Sequence, residues 1–569
     1  MTLRDANGSP TATITPALPL RTAVVTTLTD SNGVPTATIT HRPSGTPFSP
    51  FSPPPDGNAA FHIATPQEYW AVSFLPVFFA VLASIMVDSV SASLYALMPL
   101  KELTRPAGVG AKTLLSTSGT FPFVHGVDLL YRHGEPIRLL ADLLVLFTAV
   151  ITALSSEAVG IKLGGSCRED DARGCYMGVA IFSIPARVVE GFLCANIVLV
   201  LCLFLLLRRW ESGATMAPGS VVSIGALMQD RELRKVLRDI HVDDGTGRVS
   251  DREVIRRLDR HRYFLGYNFA WGSKDYGIVA QRIKTRVLTP ERSGTWVARA
   301  ATTISTAGGR LRTRTPNWVS IDDITKGRVI FYAGLLYISG LLILVTYYEN
   351  TILPDTAFEQ FMNNQDFGVR VLFTAFGILL TFFWDYYYSW VSLREPYRRL
   401  WHSAPSHVLT TPRPTSPFTG FFGSLARREW FVSLVAFTNI LSKFLPILLS
   451  TIPFSPFQTW EMHEGCTWTT IGTLGFMVLV LLWGHFAVRY PHFPVDPEGL
   501  VGQMYYLCDS EVVDNLRSAG WDSKEDILKR FGHRKYRFGE MVGSSGRVRM
   551  GVDYVRGKGE KGPEKGGAA

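Results

Sequence analysis

The chain has 569 residues, of which 47% are hydrophobic and 18% charged, with a formal net charge of +9 and a positive mean hydropathy. This balance excludes an ordinary water-soluble domain, because the apolar residues gather in blocks of about 20, the length that crosses a ~30 Å hydrocarbon core. Six cysteines are few for such a length, and no DNA- or RNA-binding motif accompanies the basic residues, so a nucleic-acid partner is not expected.

Residues 1–66 form a tail rich in Thr, Ser and Pro. It carries a small duplication, NGSPTATIT from Asn7 and NGVPTATIT from Asn32. Such a composition cannot bury enough apolar area to offset chain entropy, so the tail is expected to be disordered. It lacks the apolar core of a cleavable signal peptide. Its one sequon, Asn7-Gly8-Ser9, is a glycosylation candidate if the tail is translocated.

Seven apolar runs follow, at about 70–95, 137–158, 188–207, 329–348, 369–390, 431–452 and 469–488. The expected fold is an all-α polytopic membrane protein. A first three-helix membrane half takes residues 67–210 and a first small α+β module 211–281. A basic linker covers 282–326, and a linking transmembrane helix 327–348. The second membrane half covers 367–490 and the second module 491–556, before a disordered end at 557–569.

The two halves repeat. DSVSASLYALMPLKEL from Asp88 matches DYYYSWVSLREPYRRL from Asp385, aligning Pro99 with Pro396 and Leu103 with Leu400. PGSVVSIGALMQDRELRKVL from Pro218 matches PEGLVGQMYYLCDSEVVDNL from Pro497 without a gap, pairing Asp230 with Asp509 and Leu237 with Leu516. EVIRRLDRHRYFLG from Glu253 matches DILKRFGHRKYRFG from Asp526. Three matches in one order imply a duplicated unit, residues 70–280 and 367–555. Four crossings separate equivalent helices, so the repeats are parallel, in a 3+1+3 plan.

The positive-inside rule sets the orientation. Lys101, Arg105, Lys112, Arg132 and Arg138 lie between the first two spans. Arg394, Arg398, Arg399, Arg413, Arg427 and Arg428 lie between the fifth and sixth. Residues 349–369 and 453–468 hold no Lys or Arg. The N-terminus is therefore expected outside, with both modules and the C-terminus in the cytosol. Cys167 and Cys175, outside on this reading, could form a local disulfide or remain free thiols. Residues 282–314 carry eight arginines and lysines against Glu291. Beside a membrane such a run suits anionic lipid headgroups; a solvated linker under the same charge bias is the plainer reading.

Charges within the spans are costly and so mark positions of interest. Asp88 and its repeat partner Asp385 lie towards the cytosolic ends of their helices, and Lys443 lies near the middle of the sixth. They could pair, or line a polar pathway; alternatively the aspartates sit at the interface and the lysine snorkels. No Walker loop, dinucleotide fingerprint, HExxH, GxSxG or Cys/His metal spacing occurs. No catalytic residue, cofactor or metal ligand is therefore expected, and an enzyme is not.

Taken together, the Pro-x-x-x-Leu segment after an apolar run, the Pro-x-x-x-Val…Asp-x-Glu module and the PTATIT tail resemble a fungal group of multi-pass membrane proteins. That family is defined only as a domain of unknown function, with the unit present twice. The resemblance implies a fungal integral membrane protein at the cell periphery and supplies no site residue. The expected role is a non-enzymatic scaffold, sensor or organiser, in the plasma membrane rather than an internal one. The alternative is a transporter or channel with a pathway between the halves.

Overall fold

The computed structural model describes residues 66–115, 136–165, 175–181, 183–208, 219–240, 251–268, 275–283, 323–350, 367–453, 460–516, 524–532 and 534–555, with two strand pairs near the N-terminus and a few isolated positions. The chain divides into two compact units: residues 1–71 with 161–180, and the remainder. In the first, β1 (Thr2–Arg4) pairs antiparallel with β2 (Pro10–Thr13), and β3 (Val24–Thr29) with β4 (Pro35–His41). The repeated PTAT stretch is the second strand of each pair. These strands fall within the tail for which disorder is expected; its other residues lie outside the described ones.

The second unit starts with α1 (Pro66–Leu103), which runs helical through Pro76 and Pro99. After the short α2 (Ala111–Leu115) come α3 (Pro136–Ala158) and α4 (Ser183–Leu207); the strand pair β5 (Val159–Gly165) and β6 (Cys175–Ile181) between them falls mostly in the first unit. The first module consists of α5 (Val221–Leu227), α6 (Arg231–Arg238), α7 (Asp251–Leu258) and the hairpin β7 (His261–Asn268) with β8 (Asp275–Arg282). Next come α8 (Asp323–Asn350) and α9 (Phe367–Trp401). The chain continues through β9 (Ala404–Pro405), α10 (His407–Thr410), α11 (Pro417–Ala426), α12 (Trp430–Ser442), α13 (Leu445–Ser450) and α14 (Trp460–Ala487). The second module repeats the first: α15 (Leu500–Tyr505), α16 (Glu511–Asn515), α17 (Lys524–Phe531), then the hairpin β10 (Lys535–Val542) with β11 (Val548–Tyr554).

Among the described residues six helices are long and apolar enough to cross a membrane: α1, α3, α4, α8, α9 and α14. The sixth apolar run, expected as one helix over 431–452, is instead two, α12 and α13, with a turn at Lys443 and Phe444. The cause is Pro446. It lacks the N–H that would bond the Ser442 carbonyl four residues back, and its ring crowds that carbonyl.

Apolar side chains face outward along the long helices. Ile197, Val198, Phe204 and Leu205 of α4 and Leu336 and Ile343 of α8 are exposed, as lipid-facing residues are. Trp430, Trp483 and Phe486 lie exposed towards one end of the bundle and Tyr347 and Trp468 towards the other, the placement of an interfacial aromatic belt. Cys194 and Cys202 are exposed on the apolar surface of α4. Inside the second half, α8, α9, α12, α13 and α14 share a core that includes Ile338, Phe373, Trp384, Val435, Leu449 and Met477. The linking helix α8 thus packs as part of that half.

Among the described residues the two modules share one core. One continuous core joins Leu103 and Val109, Leu233 and Tyr263, Leu400 and Ala404, and Val512, Phe531 and Phe538. It therefore draws on both modules and on the ends of α1 and α9. Fully burying a side chain such as Phe538 or Leu233 stabilises by roughly 2 kcal/mol, and neither module could supply enough such residues alone. The modules also clasp through polar contacts. Arg234 Nε donates to the Cys508 carbonyl at 3.0 Å, Arg238 Nε lies 2.9 Å from Asp509, and Gln229 donates to the Val513 carbonyl at 3.3 Å.

The repeat is visible bond by bond. Tyr263 Oη donates to the Leu258 carbonyl at 3.0 Å, and Tyr536 Oη donates to the equivalent Phe531 carbonyl at 3.4 Å. Each hairpin also takes an edge from the segment after the long helix of its own half: Val109 pairs with Tyr263, and Ala404 with Tyr536. The residue before each edge has positive φ, Gly108 at 65° and Ser403 at 64°. That conformation costs an L-residue about 1 kcal/mol, and a Cβ on Gly108 would lie 3.1 Å from the Tyr263 carbonyl oxygen.

The two equivalent positions should therefore respond in opposite directions. Gly108→Ala is expected to lower the melting temperature of the purified protein, and Ser403→Gly to hold or raise it; a fall for both would contradict the shared geometry. A second expectation concerns Cys508, wholly buried between the modules, its thiol pushed up to about 11 by burial. It should stay in the unreactive thiol form at neutral pH and resist maleimide until the modules are unfolded. Rapid labelling of native protein at this residue would show that the shared core opens.

Candidate functional site

The three charged residues singled out in the spans meet at one point. On α9 the residues Gly377, Thr381 and Asp385 recur every four positions and so share one helix face. That face meets the break between α12 and α13. A Cβ on Gly377 would lie 2.4 Å from Pro446 Cα, so only glycine lets the two backbones approach this closely. One turn on, Thr381 Oγ1 donates to the Ser442 carbonyl at 2.8 Å. This is the acceptor that Pro446 leaves without its helical partner, and satisfying it matters because an orphaned buried carbonyl is expensive. The next turn brings Asp385 to Lys443.

Lys443 Nζ donates to Asp385 Oδ2 at 2.7 Å and to Asp88 Oδ2 at 2.5 Å. Lys443 is 3% exposed, and the two aspartate side chains are 29% and 15% exposed. The lysine therefore does not snorkel. Asp88 comes from the first half, Asp385 and Lys443 from the second, so the triad bridges the halves. Around it Val77, Val81 and Ile85 of α1 pack on Ile447 of α13, shielding the group with hydrocarbon. In such surroundings a carboxylate–ammonium contact is screened little, and losing one partner leaves a buried charge uncompensated.

Sequence reasoning missed two neighbouring arrangements. On the first-half side, Tyr95 Oη donates to Asp142 Oδ1 of α3, and the Arg138 guanidinium lies 5.0 Å from the Tyr95 ring. Tyr95 stands seven residues after Asp88, on the same face, which is the signal that could have found it. Towards the modules, Arg394 binds Asp496 at 2.9 Å and Glu498 at 3.3 Å and lies 4.2 Å from the Trp390 ring. It fastens the end of α9 to the chain that enters the second module. Burial of Glu498 raises its carboxyl above the ordinary range. A cleft nearby is lined by Ser392, Glu395, Arg399, Arg413, Arg427 and Glu429; none of the three candidate charges lines it. The other candidates cannot be placed. Asn7, Cys167, the side chain of Cys175 and linker residues 284–314 lie outside the described residues.

The fold and the triad together define a helical integral membrane protein built on a duplicated unit whose copies are joined by buried charge. A family model described as "Protein of unknown function (DUF3433)" matches the chain twice, over residues 70–160 and 367–454. Each match runs from a long aspartate-bearing helix through the following helical segment, α1 to α3 and α9 to α13, and so matches the first, membrane part of each repeat read from the sequence. No curated protein and no solved structure matches the chain.

Removing the lysine should be far worse than removing the neighbouring hydroxyl. Lys443→Ala leaves two carboxylates facing each other and is expected to cost about 3–5 kcal/mol; Thr381→Val loses one buried hydrogen bond and should cost ~1 kcal/mol. Thermal unfolding followed by size-exclusion in detergent would measure both. Comparable small losses would mean that the triad contributes little to joining the halves.

Proposed function

We propose that this protein is a non-enzymatic scaffold, sensor or organiser in the plasma membrane, presenting a fused pair of modules to the cytosol. The observation that carries this reading is the single core shared by both modules and the ends of α1 and α9. It ties the soluble part to the bundle without a flexible tether, as a docking platform requires. The aromatic and aliphatic filling of the second half supports the same reading.

The shared core also supports counting seven spans. Leu103 and Val221 flank α3 and α4, Ile278 and Tyr397 flank α8 and most of α9, and Leu400 and Val495 flank α12–α13 and α14; all six residues lie in that core. A chain that returns to the same face crosses an even number of times. The kinked α12–α13 segment then counts as one crossing, and α1 makes the seventh, giving the 3+1+3 parallel plan. The basic residues at the core-bearing face put it in the cytosol and the N-terminus outside. Anionic headgroups opposite residues 282–314 fit this orientation.

A transporter or channel is the second reading. It is favoured by one observation, the convergence of Asp88, Asp385 and Lys443 at the boundary of the halves, where parallel-repeat transporters bind substrate.

Two measurements separate these outcomes. Cysteines placed singly at Asp355 and Gln458 should react with an impermeant reagent on intact cells, and one at the exposed Lys529 should not; labelling at Lys529 would reverse the orientation. Purified protein in vesicles should show no ion flux above empty vesicles. Proteins that co-purify with it should be lost in the Arg234→Ala, Arg238→Ala double variant, which weakens the module pair. Flux that disappears in Lys443→Ala would replace the scaffold reading with transport.

A further inference from the structure

The Asp88–Lys443–Asp385 group is not electrically balanced. Two carboxylates face one ammonium, which leaves one negative charge over in an apolar segment, where such a charge is expensive. The adjoining group differs: it holds one carboxylate, Asp142, and one guanidinium, Arg138, one on either side of Tyr95, so its formal charges cancel. No other titratable side chain is brought in by α13, whose residues are LPILLS. The excess therefore belongs to the triad.

Its geometry leaves room for a ligand. Both aspartates reach the lysine through Oδ2, and among the described residues no hydrogen bond reaches Oδ1 of either, which leaves it as an acceptor. A second, independent observation concerns the same helices. Ser91 Oγ and Asn439 Nδ2 are buried without a hydrogen-bond partner, in residues that are 3% and 0% exposed. Ser91 is three residues after Asp88 and Asn439 four before Lys443, spacings that share a helix face with the charges. The Ser91 hydroxyl, which can accept, marks a place for a water or a cation, and the Asn439 amide N–H, a donor, one for a water. Both lie on the module-facing side of the triad, because α1 descends towards Leu103 and α12 begins at Trp430.

We propose that the triad is a binding site for one monovalent cation, a proton or Na⁺, held by Oδ1 of Asp88 and Asp385 with Ser91 and water beside it. One positive charge neutralises the group, whereas a divalent ion would overshoot by one. The site lies between the repeated halves, so its occupancy sets how firmly they are joined. This inference rests on the membrane reading and not on the scaffold role: a static bundle and a transporter could both hold the ion.

The test uses the full chain in lipid nanodiscs and follows the melting temperature. One arm varies pH from mildly acidic to mildly alkaline in choline chloride. The other replaces choline by Na⁺ at alkaline pH and constant ionic strength. A ligand that binds only the folded state raises the melting temperature with its concentration. A proton site gives a melting temperature that falls as pH rises and is indifferent to Na⁺. A Na⁺ site gives a rise with Na⁺ that acid abolishes. Asp88→Asn and Asp385→Asn each remove the excess charge while keeping a partner for Lys443, so either should flatten the response. Asp142→Asn should keep it, since Asp142 lies outside the site. Flat curves in the wild type, or a response that survives in both Asn variants, would overturn the proposal. If one Asn variant does not fold, the other decides. If neither folds, retention of the response in Asp142→Asn together with its loss in Ser91→Ala supports a Na⁺ site, and a response that survives in Ser91→Ala overturns it.

Discussion

An ammonium group among hydrocarbon chains must be neutralised where it sits, and much of this structure can be derived from how Lys443 meets that requirement. Its two partners come from equivalent positions in the two copies of one unit, Asp88 and Asp385, and both reach the same Nζ. Ordinary dispersion contacts between membrane helices are weak determinants of partner and register, because lipid tails compete on equal terms. A buried charge is not subject to that competition. It fixes which turn of α1 lies against which turn of α9 and α12, and so fixes how the halves meet.

The clamp depends on the α12–α13 break, and the break on Pro446. A continuous helix would keep the Ser442 carbonyl in its own ladder; breaking it releases that carbonyl to Thr381. Gly377 then admits the Pro446 backbone, and Asp385, one turn past Thr381, arrives at the lysine. Three residues at four-residue spacing thus do different work for one contact: close approach, backbone satisfaction and charge. The unit match over 367–454 ends just beyond this break, so the arrangement lies wholly inside the repeated unit. In the first copy the helix that carries the aspartate makes a different polar contact, from Tyr95 to Asp142. Duplication kept the aspartate and let the surroundings diverge.

A similar division operates in the soluble part. Both copies keep the tyrosine that caps the preceding helix through its hydroxyl, and both keep the left-handed residue before the edge strand, as Gly108 in one and Ser403 in the other. The contact that Arg234 makes between the copies is asymmetric. Its guanidinium reaches the Cys508 carbonyl and the Asp514 carboxylate of the second module, whereas the repeat alignment puts the apolar Val513 in its place in the second copy. At this contact one copy is the donor surface and the other the acceptor, which helps two small units share a core that neither could build alone.

The sequence by itself determined the helical membrane class, the repeated unit and the three charges worth watching. These are carried by local information: apolar run length, positive-charge bias, and identity at fixed spacing from Asp88 and Asp385. It also contains Pro446 inside the sixth run, yet apolar run length gives one helix there, because hydropathy averages over a window and does not register a single missing N–H. Only the tertiary structure decided that Asp88, 355 residues from Lys443, shares that lysine with Asp385, and that Tyr95 belongs to Asp142. Periodicity says which face of a helix a residue occupies but not which helix that face will meet. That the related modules, 218–280 and 497–555, pack side by side is expected from their repeat, but that they share one core with the ends of α1 and α9 is not, for the same reason. Burial is a property of assembled surfaces, and each module's apolar residues acquire their partners only when the other module and the ends of α1 and α9 are in place.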